Sequence, residues 1–176
     1  SSYPSSSHLR QRLRRRRDGE EELDRPLNTL IWSGIAAGML LAFSVLGEAV
    51  LRTYLPDTSW RYLLENLGYS FGFLLVILGR MQLFTENTIT TILPLAAERS
   101  GTCFARVMRL WSIVLAANIL GALAAAAIMA FSGAFGADLL AVIGDLSRHA
   151  TGFPAGEAFV RAIPAGILVA SIVWLM

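Results

Sequence analysis

The chain has 176 residues, 55% of them hydrophobic and only 16% charged, against about a quarter charged in ordinary soluble domains. At a mean hydropathy of +0.55 a water-soluble fold could not cover itself, and an all-α, polytopic membrane protein is expected. The net charge of +2 conceals an asymmetry, because every basic side chain is arginine and Arg10, Arg12, Arg14, Arg15, Arg16 and Arg17 crowd one short stretch.

Residues 1–26 are Ser-rich, then Arg-rich, then acidic from Asp18 to Asp24, with almost nothing to build a core. They read as a disordered cytoplasmic tail. Arginines beside a membrane span are retained in the cytoplasm and meet anionic headgroups, so membrane lipid is an expected partner. No recognition motif or interleaved aromatics accompany them, which argues against nucleic acid. The acidic stretch separates the arginines from the apolar run, and that run is longer than a signal-peptide core. The first span is expected over residues 27–51, long enough to cross a bilayer. Glu48 and Arg52 at its far end stand four apart, where they can pair on one helical face in the interface.

A short loop holding Pro56, Asp57 and Arg61 leads to a second span over residues 62–97, and here the pattern fails in an informative way. The run Met81-Gln82-Leu83-Phe84-Thr85-Glu86-Asn87-Thr88 is polar and carries a carboxylate at a depth where a membrane helix should be apolar. Irregular backbone at that depth survives only where it is buried in protein or lines a wet cavity. A helix broken at 81–88 is therefore expected, with a path for a solute beside it. An intramembrane charge needs a partner, and Arg80 is the nearest cation on the same segment, so Arg80 and Glu86 are expected to pair across the break.

Arg99, Arg106 and Arg109 form a basic connection that suits the side of the Arg-rich tail. The third span, 110–131, is rich in Ala and Gly, which let neighbouring backbones approach closely. Asn118 near its middle serves either an interhelical hydrogen bond, its ordinary role, or solute contact. Residues 133–157 should connect outside the cytoplasm through a short amphipathic helix near 137–146, and a fourth span runs over 159–176, still apolar at Met176. Gly34 to Val45 aligns with Ala162 to Val173, matching Ile35 with Ile163, Gly38 with Gly166 and Val45 with Val173. Three spans separate the copies, so the second would run in the opposite direction, as in inverted-repeat transporters.

Nothing points to bond chemistry: there is no nucleotide loop, no paired catalytic carboxylates and no metal-ligand cluster. His8 and His149 lie in the tail and a loop without companion ligands. Cys103 is the sole cysteine, so no intrachain disulfide can form. No enzyme activity, cofactor or metal is expected.

The run Leu83 to Thr88 in a broken second span, followed by a basic loop and a third span with Asn118-Ile119-Leu120-Gly121, resembles the formate/nitrite transporter family, specifically a branch with Glu in this loop and Arg shortly before it. The likeness covers residues 26–176. It implies an aquaporin-like protomer of six spans in two inverted triplets, of which about four are here, and a homopentamer in the inner membrane with one pore per protomer, the N-terminus cytoplasmic and a small monovalent anion as substrate. It further implies that Leu83 and Phe84 form apolar constrictions, that Tyr69 and Phe73 oppose them, unless these rings simply pack, and that Thr85 offers its hydroxyl to the anion. Asn87, Thr88 and Asn118 complete the expected path. Free backbone N–H groups at the half-helix N-terminus would favour an anion.

The sequence departs from that pattern at three places. Glu86 stands where well-known members have a small residue, and Gly166 stands where the fourth span usually has Asn. The pore histidine of the fifth span has no counterpart here, so the likeness maps this chain onto the first two thirds of a protomer. A pore for a neutral or weakly acidic solute, or a non-transporting membrane scaffold, are the alternatives.

Overall fold

A computed structural model describes residues 19–98 and 100–175. The Arg-rich stretch, Arg99 and Met176 lie outside the described residues. From Leu27 onward the described residues form helices α1 Leu27–Tyr54, α2 Arg61–Leu78, α3 Phe84–Thr90, α4 Ile92–Glu98, α5 Gly101–Phe131, α6 Ala137–Thr151 and α7 Ala155–Leu175, preceded by helical residues 19–23. No strand occurs among the described residues, as the composition predicts.

Local chemistry sets the helix ends. Pro26 precedes α1 with φ −59°, a proline placement compatible with a helix start. Leu55 ends α1 in an extended conformation (ψ 143°), because the following Pro56 excludes the helical region for its predecessor. Ser100 caps α5, its side chain accepting the Cys103 N–H at 3.1 Å, which satisfies one of the four orphan donors of the first turn. Thus α5 begins at Gly101, and Arg106 and Arg109, expected in a connecting loop, lie within its first turns.

By length and composition α1 and α5 can each cross a membrane, and α6 with residues 155–169 of α7 makes a pair bent by 100°. At 28 and 31 residues α1 and α5 are longer than the roughly 20 that a bilayer core requires, so their ends project from it. The amphipathic helix foreseen near 137–146 is the longer α6, and the fourth span begins at Ala155 rather than Phe159.

The core forms where α1 is sandwiched between α2 and α5. Gly47 and Gly68 face each other so closely that a methyl group on either would come within 2.5–2.6 Å of the other's carbonyl oxygen. On the other side Gly38 abuts the Asn118 backbone and Gly121 abuts the Ile35 backbone. Small residues permit this approach, and without it Asn118 could not reach across to α1.

Candidate functional site

The helix over the expected second span is interrupted, over a narrower segment than 81–88. Helix α2 stops at Leu78, residues 79–83 are non-helical, and the helix resumes at Phe84. The stop is a Schellman motif: the Met81 N–H donates to the Val76 carbonyl and the Arg80 N–H to the Ile77 carbonyl, each at 3.1 Å. Such a motif requires a left-handed residue after the cap, usually glycine. Here it is Arg80, at φ 47°.

Beyond the turn, the exposed backbone is clamped from outside the segment. Asn118 on α5 accepts the Phe84 N–H at 2.9 Å and donates to the Gln82 carbonyl at 2.9 Å and the Gly34 carbonyl at 2.8 Å. Ser33 on α1 accepts the Gln82 N–H at 3.0 Å. Asn118 thus has the interhelical role, binding α1, the break and α5 together. The Gln82 side chain continues the network, accepting from Asn87 Nδ2 and donating to Glu22 Oε2, both at 2.8 Å. Asn87 accepts through its carbonyl from the Thr91 hydroxyl at 2.6 Å, and Trp111 Nε1 donates to that hydroxyl at 3.0 Å. The network satisfies the backbone groups that a broken helix exposes.

The acidic stretch, expected as part of a disordered tail, is instead structured: residues 19–23 are helical and pack against the break. Glu22 bonds to Gln82 and pairs with Arg25 at 2.9 Å, Asp24 pairs with Arg106 on α5, and Gly19 lies against Thr90 and Pro94. Composition suggested disorder because the partners of these carboxylates lie 60 and 82 residues away.

Two cavities flank the break. One, of about 740 Å³, is apolar and lies between α1, α2, α5 and α6. Its walls include Tyr69, Phe73 and Asn118, and α6 closes it with Leu140, Ile143, Gly144 and Ser147, whose spacing puts them on one helical face. The other, of about 390 Å³, is polar and is lined by Glu21, Glu22, Arg25, Arg80, Glu86 and Asn87 among others.

The expected site residues divide between these places. Tyr69 and Phe73 stack obliquely with centroids 5.8 Å apart. Leu83 is buried in a cluster with Ala37 and Val76, and Phe73 packs against that cluster. Phe84 departs from the expected constriction. It packs on Leu30, Leu110 and Val114 and sets its ring edge-on to Trp111 at 6.2 Å, because that apolar surface lies on the α5 side of the break. Thr85 is exposed, and the Thr88 hydroxyl donates back to the Thr85 carbonyl at 2.8 Å. Leu83, Phe84, Thr85 and Thr88 line neither cavity.

Two further expectations need correction. Among the described residues Arg80 forms no ion pair with Glu86. Both line the polar cavity without pairing. The N-terminus of α3 is only partly free to donate: Asn118 takes the Phe84 N–H, and the Leu83 carbonyl accepts from Glu86 at 3.1 Å and from Asn87 at 3.0 Å, while the Thr85 N–H has no protein acceptor among the described residues. Ser33, Gln82, Thr91 and Trp111 are structural members that the sequence reading did not single out. Ser33 and Gln82, polar within apolar surroundings, were the available signals.

The described residues thus form a helical membrane protein with a helix interrupted at residues 79–83 and its exposed backbone satisfied by neighbouring helices. The formate/nitrite transporter family model matches residues 13–176, and the chain belongs to that family. It is 38% identical over 160 residues to inner membrane protein YfdC of Escherichia coli K12, a match covering 91% of this chain and 52% of that protein. It is 29% identical over 152 residues to formate channel FocA of Haemophilus influenzae, covering 81% of this chain and 51% of that protein. The chain therefore spans about half the length of these relatives. No solved structure gives a significant match.

Proposed function

We propose that this chain contributes the broken helix of a pore for small monovalent anions, formate and nitrite being the first candidates, in the inner membrane. The observation that carries this reading is the clamped break at residues 79–83, which separates an apolar cavity lined by Tyr69 and Phe73 from a polar one lined by Arg80 and Glu86. An apolar chamber strips water from a solute and excludes large ions, while a polar mouth gathers it from solution. The polar cavity shares its end of the molecule with the N-terminal segment, through Glu22 and Arg25, and we assign that end to the cytoplasm on the positive-inside rule. A homopentamer with one path per protomer is the assembly we propose.

Flux of formate and nitrite into liposomes bearing the full-length gene product tests the reading. Voltage-dependent formate uptake supports it, and uptake of urea or glycerol without anion current overturns it. That second outcome would favour a pore for a neutral or weakly acidic solute. The carboxylates of Glu21, Glu22 and Glu86 on the polar cavity are the specific reason to test for it, since they repel anions.

A further inference from the structure

We infer that Arg80 is the anion-collecting side chain at the polar mouth of the path, recognising planar two-oxygen monovalent anions such as carboxylates and nitrite. The inference rests on the pore reading above and assigns its selectivity to a single residue. The polar cavity carries three carboxylates, Glu21, Glu22 and Glu86, against two guanidiniums, Arg25 and Arg80. Arg25 is already engaged by Glu22 at 2.9 Å. Arg80 has no ion pair or hydrogen bond from its side chain among the described residues, and it is exposed to the cavity that it lines. The backbone at the start of α3 offers an anion only the Thr85 N–H, because the Phe84, Glu86 and Asn87 N–H groups are taken and Thr85 does not line this cavity.

The backbone at Arg80 sharpens the case. The left-handed position after a helix cap favours glycine, yet an arginine occupies it at φ 47°. Strain of this kind persists where the side chain has a task. The turn places a guanidinium on the polar cavity within the break, where it makes no direct ion pair among the described residues. A guanidinium presents a planar fork of donors that matches a two-oxygen anion, whereas an ammonium acts as a point charge. The fork therefore selects for shape as well as sign, so that formate or nitrite is preferred over a spherical anion such as chloride.

The test compares formate, chloride and urea flux through the full-length protein in liposomes for wild type, Arg80→Gln, Arg80→Lys and Arg80→Gly. Loss of a focusing charge should lower formate flux roughly tenfold in Arg80→Gln and Arg80→Gly. Arg80→Lys should keep much of the anion flux but lose the preference for formate over chloride. Arg80→Gly relieves the left-handed backbone, so its thermal unfolding in detergent should match or exceed wild type, which separates lost recognition from lost folding. Formate flux undiminished in both Arg80→Gln and Arg80→Gly overturns the role of Arg80 alone. A wild-type protein that carries no formate overturns the pore reading and this role together.

Discussion

Asn118 bonds three backbone groups, two carbonyls and one amide, drawn from α1, from the break and from the start of α3. An unsatisfied buried polar group costs about 1–3 kcal/mol. Asn118→Leu is therefore expected to lower stability by roughly 2–4 kcal/mol after partial relaxation, read as an earlier thermal transition in detergent with faster hydrogen exchange at the Phe84 amide. Asn118→Asp is the sharper control. It keeps an acceptor for Phe84 but turns an oxygen toward the Gly34 and Gln82 carbonyls, so it should also destabilise although its size is unchanged. At Arg80 the sign reverses: replacing it by glycine removes a left-handed penalty of about 1 kcal/mol and should raise the unfolding temperature slightly. A lowered temperature would mean that the Arg80 side chain stabilises the turn through contacts of its own. The polar character of residues 81–88 was readable from sequence alone, since it conflicts with membrane depth. The roles of Phe84 and Glu86 were not, because they depend on which neighbour lies across the break: Leu110 and Trp111 for the ring, Glu22 and Arg25 for the carboxylate.

Among the elements, α1 is the member on which the others register. Its Gly47 meets Gly68 of α2, and its Gly38 meets α5 beside Asn118. A methyl group at Gly38 would overlap the Asn118 carbonyl, so Gly38→Ala should push α5 away and cost about 1–3 kcal/mol by overpacking. The displacement should also lengthen the Asn118 contacts with the break. Cysteine pairs placed across α1 and α5 would report it as a reduced crosslinking yield, and unchanged crosslinking and stability would rule out this register. The long apolar helices α1 and α5 were legible from apolar runs, and the helix interruption from its polar residues. The folding of residues 19–23 was not, because a short acidic segment has no periodicity to read and its order comes from Gln82 and Arg106, far away in sequence. The bounds of α5 were misjudged for a related reason: Arg106 and Arg109 resemble a loop to a hydropathy reading, whereas the capping Ser100 starts the helix before them.

For the molecule as a whole, membership of the formate/nitrite transporter family agrees with a structure organised around a break rather than around a core. Most large apolar side chains of α7 are exposed, Phe159, Ile163, Ile167 and Leu168 among them, as befits surfaces that meet lipid or further helices. The clamp also constrains how the protein is made. When residues 61–98 emerge from the ribosome, the asparagine that must accept the Phe84 amide is still 34 positions away, and it lies 84 positions from its carbonyl on α1. Until α5 is inserted, the Phe84 amide and the Gln82 carbonyl lack their Asn118 partner, and only Ser33 of α1 is at hand for the Gln82 amide, so the segment must wait at the water-facing boundary of the bilayer. The re-entrant shape is then completed late and all at once, by the arrival of a single side chain, so a ribosome stalled before residue 118 should leave residues 79–90 open to protease while α1 is already protected.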